Sequence, residues 1–115
     1  MPPILITNSS TFDAVYSVFC LHELPTRERI ALVREAFRVL KPGGVCVLAD
    51  SLQWDDEPEL NWALERFPKT YHEPFYKKYV HDDLIQMIHK VTGTNADIDL
   101  GFFTKVVWFY KPLSS

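Results

Sequence analysis

Two small groups of reactive side chains stand directly behind two apolar runs. Cys20, His22 and Glu23 follow the run Ala14–Phe19, and Asp50, Ser51 and Gln53 follow or close the run Val45–Ala49. A histidine titrates near neutrality, so His22 could take a proton from an acidic hydroxyl. The plainer expectation for it is a loop residue that caps backbone or meets solvent. Cys20 could be a reactive thiol, yet His22 is the nearest candidate base. Cys20 and Cys46 are therefore expected as buried, reduced thiols packed as small hydrophobes. Their spacing fits no zinc or redox motif. Asp13 reads as a strand-start residue rather than a catalytic one. The acids Asp55, Asp56 and Glu57 lack a histidine at ligand spacing, so no metal site is expected.

The elements that must carry these groups form one β-α-β unit. The two runs are short, apolar and rich in β-formers, as expected of parallel strands covered on both faces. Between them Ile30, Val33, Phe37 and Leu40 fall on one helical face, with Ala36 beside them. Thr26 is the expected N-cap, and Pro42-Gly43-Gly44 is expected to stop the helix and turn the chain. In an open α/β sheet, ligands gather outside the carboxyl ends of the strands. That places any chemistry at Cys20–Glu23 and Asp50–Gln53.

Phe-Asp-Ala-Val from Phe12, Leu-His-Glu-Leu-Pro from Leu21 and Arg-Val-Leu-Lys-Pro-Gly-Gly from Arg38, with an apolar strand ending at Asp50, carry a resemblance. They resemble the C-terminal half of a class I S-adenosylmethionine-dependent methyltransferase, in the small-molecule, methyltransferase-11-like branch. The resemblance implies an α/β, Rossmann-like sheet with parallel strands followed by an antiparallel hairpin. It implies S-adenosylmethionine as the cofactor, with Ser17, Phe19, Cys20 and His22 at its methionine side. Phe19 and Leu21 could equally be plain core. No catalytic residue is assigned. The family's glycine-rich loop and ribose-binding acid have no counterpart, since all four glycines lie at or after Gly43. The expectation is thus a partial domain over residues 1–115, inactive and a poor cofactor binder when isolated. The alternative is a non-catalytic remnant that dimerises or binds a partner. The Asp/Asn-Pro-Pro-aromatic motif of DNA amino-methyltransferases is replaced here by Cys20-Leu21-His22-Glu23, which argues against a DNA base as acceptor.

Composition agrees. A net charge of -3 without a long run of either sign argues against nucleic-acid binding. No segment approaches the length of a membrane span, and the N-terminus lacks signal-peptide features, so a cytoplasmic protein is expected. Further helices are expected over Pro58–Arg66 and Asp82–Thr92, after a helix over Arg27–Leu40. Asp56 or Glu57 should cap the one that starts at Pro58, with Asp82 and Asp83 in the first turn of the last and Gly93 ending it. Phe67–Tyr79 reads as an irregular aromatic stretch that could lid a pocket. Strands over Ala96–Phe102 and Lys105–Tyr110 should form an antiparallel hairpin. Ile4–Ile6 could add a short strand. Unless it pairs with Ala14–Phe19, that apolar strand has an open edge. The expected partners are a second copy in a homodimer or a missing N-terminal half.

Overall fold

The computed structural model describes residues 9–71, 75–101 and 103–113, without the side chains of 67–71. Four strands, β1 (Phe12–Val18), β2 (Leu40–Ser51), β3 (Asp97–Gly101) and β4 (Thr104–Tyr110), lie in the order β1-β2-β4-β3. β1 and β2 are parallel, and β4 is antiparallel to both β2 and β3. This is the α/β arrangement expected, with parallel strands followed by an inserted hairpin. The helix α1 (Thr26–Val39) makes the crossover. After β2 come α2 (Asn61–Tyr71), α3 (Tyr76–His81) and α4 (Leu84–Thr92). The possible strand at Ile4–Ile6, His72, Pro74, Phe102 and the side chains of Phe67 and Tyr71 lie outside the described residues.

The pleat sorts the sheet into two unlike faces. Cys46, Leu48, Val107 and Phe109 point toward α1 and are buried with Val33, Ala36 and Leu40 in one core. The other face carries Tyr16, Val47 and Trp108 in one row and Val18, Ala49 and Val106 in the next. Tyr16 is 77% and Val18 59% exposed, so this face lacks the cover expected of β1. β1 burial therefore alternates, with Val15 and Ser17 turned inward.

Several local expectations are corrected. β2 starts at Leu40, directly after the helix, and Pro42-Gly43-Gly44 lies within it. Gly43 adopts φ +85°, and its amide donates to Lys111 O at 2.8 Å, so the glycines bend a strand rather than form a turn. The N-cap of α1 is Pro25. The Thr26 hydroxyl instead donates to Asp82 Oδ2 at 2.7 Å. Pro58–Leu60 is a single tight turn after Glu57, which makes no side-chain cap, and α2 follows to Tyr71. Asp56 is occupied elsewhere, accepting from Lys105 Nζ at 2.9 Å. Asp82 ends α3, and Asp83 caps α4 by accepting from Gln86 N at 3.0 Å. Gly93 closes α4 at φ +75°, as expected.

The stretch expected to be irregular is largely helical. Buried Tyr76, Tyr79 and Val80 repeat at i, i+3 and i+4, the spacing of one helix face. Pro68 and Pro74 mask that signal in the sequence.

Candidate active site

The turn Leu21–Glu23 leaves β1 and lies against the end of β2. Asp50, 1% exposed, ends the apolar part of β2 and takes three donors. Its Oδ2 accepts from Leu21 N at 2.7 Å. Its Oδ1 accepts from His22 Nδ1 at 2.7 Å and from Ser51 N at 2.8 Å. A carboxylate only accepts, so Nδ1 of a neutral His22 carries the proton and Nε2 the lone pair. Nε2 stands 3.9 Å from Glu23 Oε1. A histidine oriented in this way is equipped to remove a proton from a hydroxyl. The Asp50 partner rules out the plain loop role expected for His22.

A cavity of 410 Å³ opens beside this pair, lined by Phe19, His22, Ser51, Ala63, Leu64, Tyr76 and Phe103. No lining side chain has a fixed charge. The Tyr76 and Ser51 hydroxyls bond to each other, and Tyr79 Oη donates to Ser51 O at 2.5 Å. His22 meets Tyr76 edge-on at 5.6 Å between ring centres. Burial pushes the Tyr79 phenol far up, aided by Asp50, so it stays protonated as a donor.

The turn is fixed from its other side by Arg29, 1% exposed. Its guanidinium donates to Leu21 O at 3.5 Å and to Leu24 O, and to Asp82 Oδ2 at 2.5 Å. Gln53 joins the strand end to the helices, with Nε2 donating to Tyr79 O at 2.8 Å and Oε1 accepting from Lys105 Nζ at 3.0 Å.

Of the expected site residues, Phe19 and His22 meet at this cavity. Cys20 is half-buried in the turn, and Ser17 faces a separate cleft with Leu32, Glu35 and Ala36. Sequence reasoning missed Asp50 as the partner of His22, as well as Arg29, whereas Tyr76 comes from the aromatic stretch expected to cover a pocket. The readable signal was an acid closing an otherwise apolar strand. Cys46 is a buried free thiol, as expected.

The strand order and the helical crossover define a Rossmann-like α/β sheet. Residues 5–48 match the family model described as a methyltransferase domain. A 49-residue stretch is 39% identical to carboxy-S-adenosyl-L-methionine synthase of Chromohalobacter salexigens, covering 43% of this chain and 18% of that protein. An O-methyltransferase family protein from Burkholderia thailandensis superimposes with TM-score 0.66 at 16% identity, over 92% of this chain and 32% of that one. A SAM-dependent methyltransferase from Methanosarcina mazei gives TM-score 0.60 at 22% identity, over 96% and 64%. The chain is thus similar over residues 5–48 to a methyltransferase domain and shares the fold of solved methyltransferases, and it spans less than two thirds of each of these proteins.

Proposed function

We propose that the chain is a single methyltransferase-like domain providing the acceptor side of a SAM-dependent methyltransferase that acts on a small-molecule hydroxyl. The observation that carries this is the His22–Asp50 pair at the mouth of an apolar cavity. Bound S-adenosylmethionine would supply an electrophilic methyl group. The chain's own part is to hold the acceptor, exclude water and receive its proton at His22 Nε2. Asp50 fixes the imidazole and balances the charge that then forms on it. Positioning supplies much of the rate in such a transfer.

The cofactor fit is partial. Ser17, Phe19 and Cys20 edge the end of β1 and suit the methionine side. Among the described residues no glycine-rich cradle precedes β1, and none of their acids is placed for a ribose. The isolated chain should therefore bind the cofactor weakly, with a dissociation constant above about 1 mM. Amide shifts on titration with millimolar S-adenosylmethionine should gather at residues 17–22. Shifts absent from that stretch would refute the placement, and a micromolar constant would refute the partial fit.

A second reading, a non-catalytic dimerising protein, is favoured by a contrast between the sheet edges. β3 carries Asp97 and Asp99, the kind of charge that guards an edge. β1 has no charge or proline from Ala14 to Val18, and beside it lies the exposed face bearing Tyr16 and Val18. A homodimer through this edge, or an N-terminal half seated on it, would cover both. Light scattering at tens of micromolar chain should then give the mass of two chains, and a one-chain mass would reject the homodimer. No described helix is long and apolar enough to cross a membrane. A cytoplasmic setting belongs to this proposal, as does the absence of nucleic acid among the partners.

A further inference from the structure

Four non-glycine residues have positive φ among the described residues, namely Ser10, Phe19, Asp55 and Phe103. Aspartate in an exposed turn tolerates this conformation, and the small serine side chain does so more weakly. Phenylalanine does not, because its bulky side chain crowds the backbone in the left-handed region. Phe19 has φ +51° and Phe103 φ +56°. They come from different parts of the chain, the end of β1 and the turn between β3 and β4. Both line the same cavity as His22. Strained residues persist where the surroundings impose them, and they cluster at ligand clamps. Phe19 is also 48% exposed, so core burial does not explain its conformation.

We infer that Phe19 and Phe103 form an aromatic clamp that selects an uncharged, planar aromatic hydroxyl compound as the acceptor. This rests on the methyl-transfer reading for the word acceptor, but not for the clamp itself. Aromatic rings attract one another by offset and edge-on contact beyond simple area burial. With Tyr76, the clamp gives the cavity three ring-bearing walls beside the imidazole. A cavity of 410 Å³ has room for a substituted ring system. The lining offers no fixed positive charge, so a carboxylate or phosphate on the ligand would be buried unpaired. A ring hydroxyl directed at His22 Nε2 would be the one polar group matched to a base.

The test uses the full chain and three probes of similar size, 4-nitrophenol, cyclohexanol and benzoate, with binding followed by ligand-detected NMR. 4-Nitrophenol should bind at least about tenfold more tightly than either of the others, a difference of about 1.4 kcal/mol. Asparagine tolerates positive φ, so Phe19→Asn and Phe103→Asn should each weaken 4-nitrophenol binding at least about fivefold while leaving the melting temperature unchanged or raised. Equal binding of cyclohexanol would overturn the inference. So would unchanged binding by both variants, or a lowered melting temperature in both, which would make the two rings ordinary packing residues. His22→Gln separates the two claims. It should leave the dependence of 4-nitrophenol binding on Phe19 and Phe103 in place, whatever its own effect on affinity, and abolish the rise in 4-nitrophenolate absorbance on binding. If the wild-type chain shows clamp-dependent binding with no such rise, the proton-acceptor role of His22 fails and the clamp stands.

Discussion

Replacing Asp50 by asparagine tests the site at its most constrained atom pair. Three donors converge on the carboxylate, namely Leu21 N, His22 Nδ1 and Ser51 N. An asparagine has one acceptor oxygen and one donor amide. If its oxygen faces His22 and Ser51, its NH₂ group points at the Leu21 amide, which is then orphaned beside a residue only 1% exposed. If the amide is flipped, His22 can change tautomer and accept, but the Ser51 amide is orphaned instead. Either orientation strands one buried N–H, at about 1–3 kcal/mol, and the bonds that remain lose their charge assistance, about 1 kcal/mol more. The expected loss is about 2–4 kcal/mol, or about 1–2 M in the urea midpoint with the slope unchanged. Nitrogen-15 shifts of His22 distinguish the two orientations, since only the flipped amide moves the proton to Nε2. A variant as stable as wild type, with the proton still on Nδ1, would refute the reasoning.

Three more outcomes follow from other contacts. Burial would push the Asp82 carboxyl up, but the Thr26 hydroxyl, Arg29 and Lys78 outweigh it and hold it below its ordinary value. Its contribution to stability is thus fully present above about pH 4 and is lost as pH falls through the lowered folded value. Asp82→Asn should flatten that acid limb in a series of denaturant titrations. Burial pushes the Cys46 thiol up to about 12, so iodoacetamide at about pH 8 should label Cys46 only at the rate of unfolding, as mass spectrometry would show. A Cβ on Gly44 would lie 2.9 Å from both Asp13 O and Lys41 O. Gly44→Ala should therefore cost about 1–3 kcal/mol, measured by urea unfolding.

The strands and the long helix were legible because their signals are local and repeated. Val45–Ala49 is apolar without a break, and α1 keeps its period across four turns. The hairpin was legible from its alternation of Asp97, Ile98, Asp99 and Leu100. The helical character of α3 was not, because two prolines precede its tyrosines and the i, i+3, i+4 set is only one turn long. The site was legible by place and not by partnership. Strand ends pointed to both Cys20–Glu23 and Asp50–Gln53, but nothing local joins His22 to Asp50 across 28 positions of sequence. That bond exists because the parallel pairing of β1 and β2 sets Val18 opposite Ala49, bringing both strand ends to one level. Arg29 was illegible for a related reason. A charged residue on a helix reads as solvent-facing, and only the turn folded over it provides the carbonyls that permit its burial.

Leu21 joins these two buried charges, because Asp50 takes its amide and Arg29 donates to its carbonyl. The turn bearing His22 is therefore clamped at one residue, through the two peptide groups that flank it. Arg29→Gln should be destabilising by itself, since it loosens Leu24 and leaves Asp82 without its 2.5 Å partner. Once either clamp is gone the turn can shift, and removal of the second then costs less than it does in the intact chain. The double variant Arg29→Gln, Asp50→Asn should fall short of additivity by about 0.5–3 kcal/mol in a double-mutant cycle. A direct attraction between the two opposite charges would give the same sign, so a second cycle is needed. Pairing Asp50→Asn with Arg29→Lys keeps the positive charge and removes the guanidinium fork that reaches Leu21 O and Leu24 O. Coupling in both cycles is the expected pattern, whereas coupling in the first alone would assign it to the attraction of the charges. Additivity within about 0.5 kcal/mol in the first cycle would show that the two charges hold the turn independently, and that the geometry of His22 does not depend on Arg29.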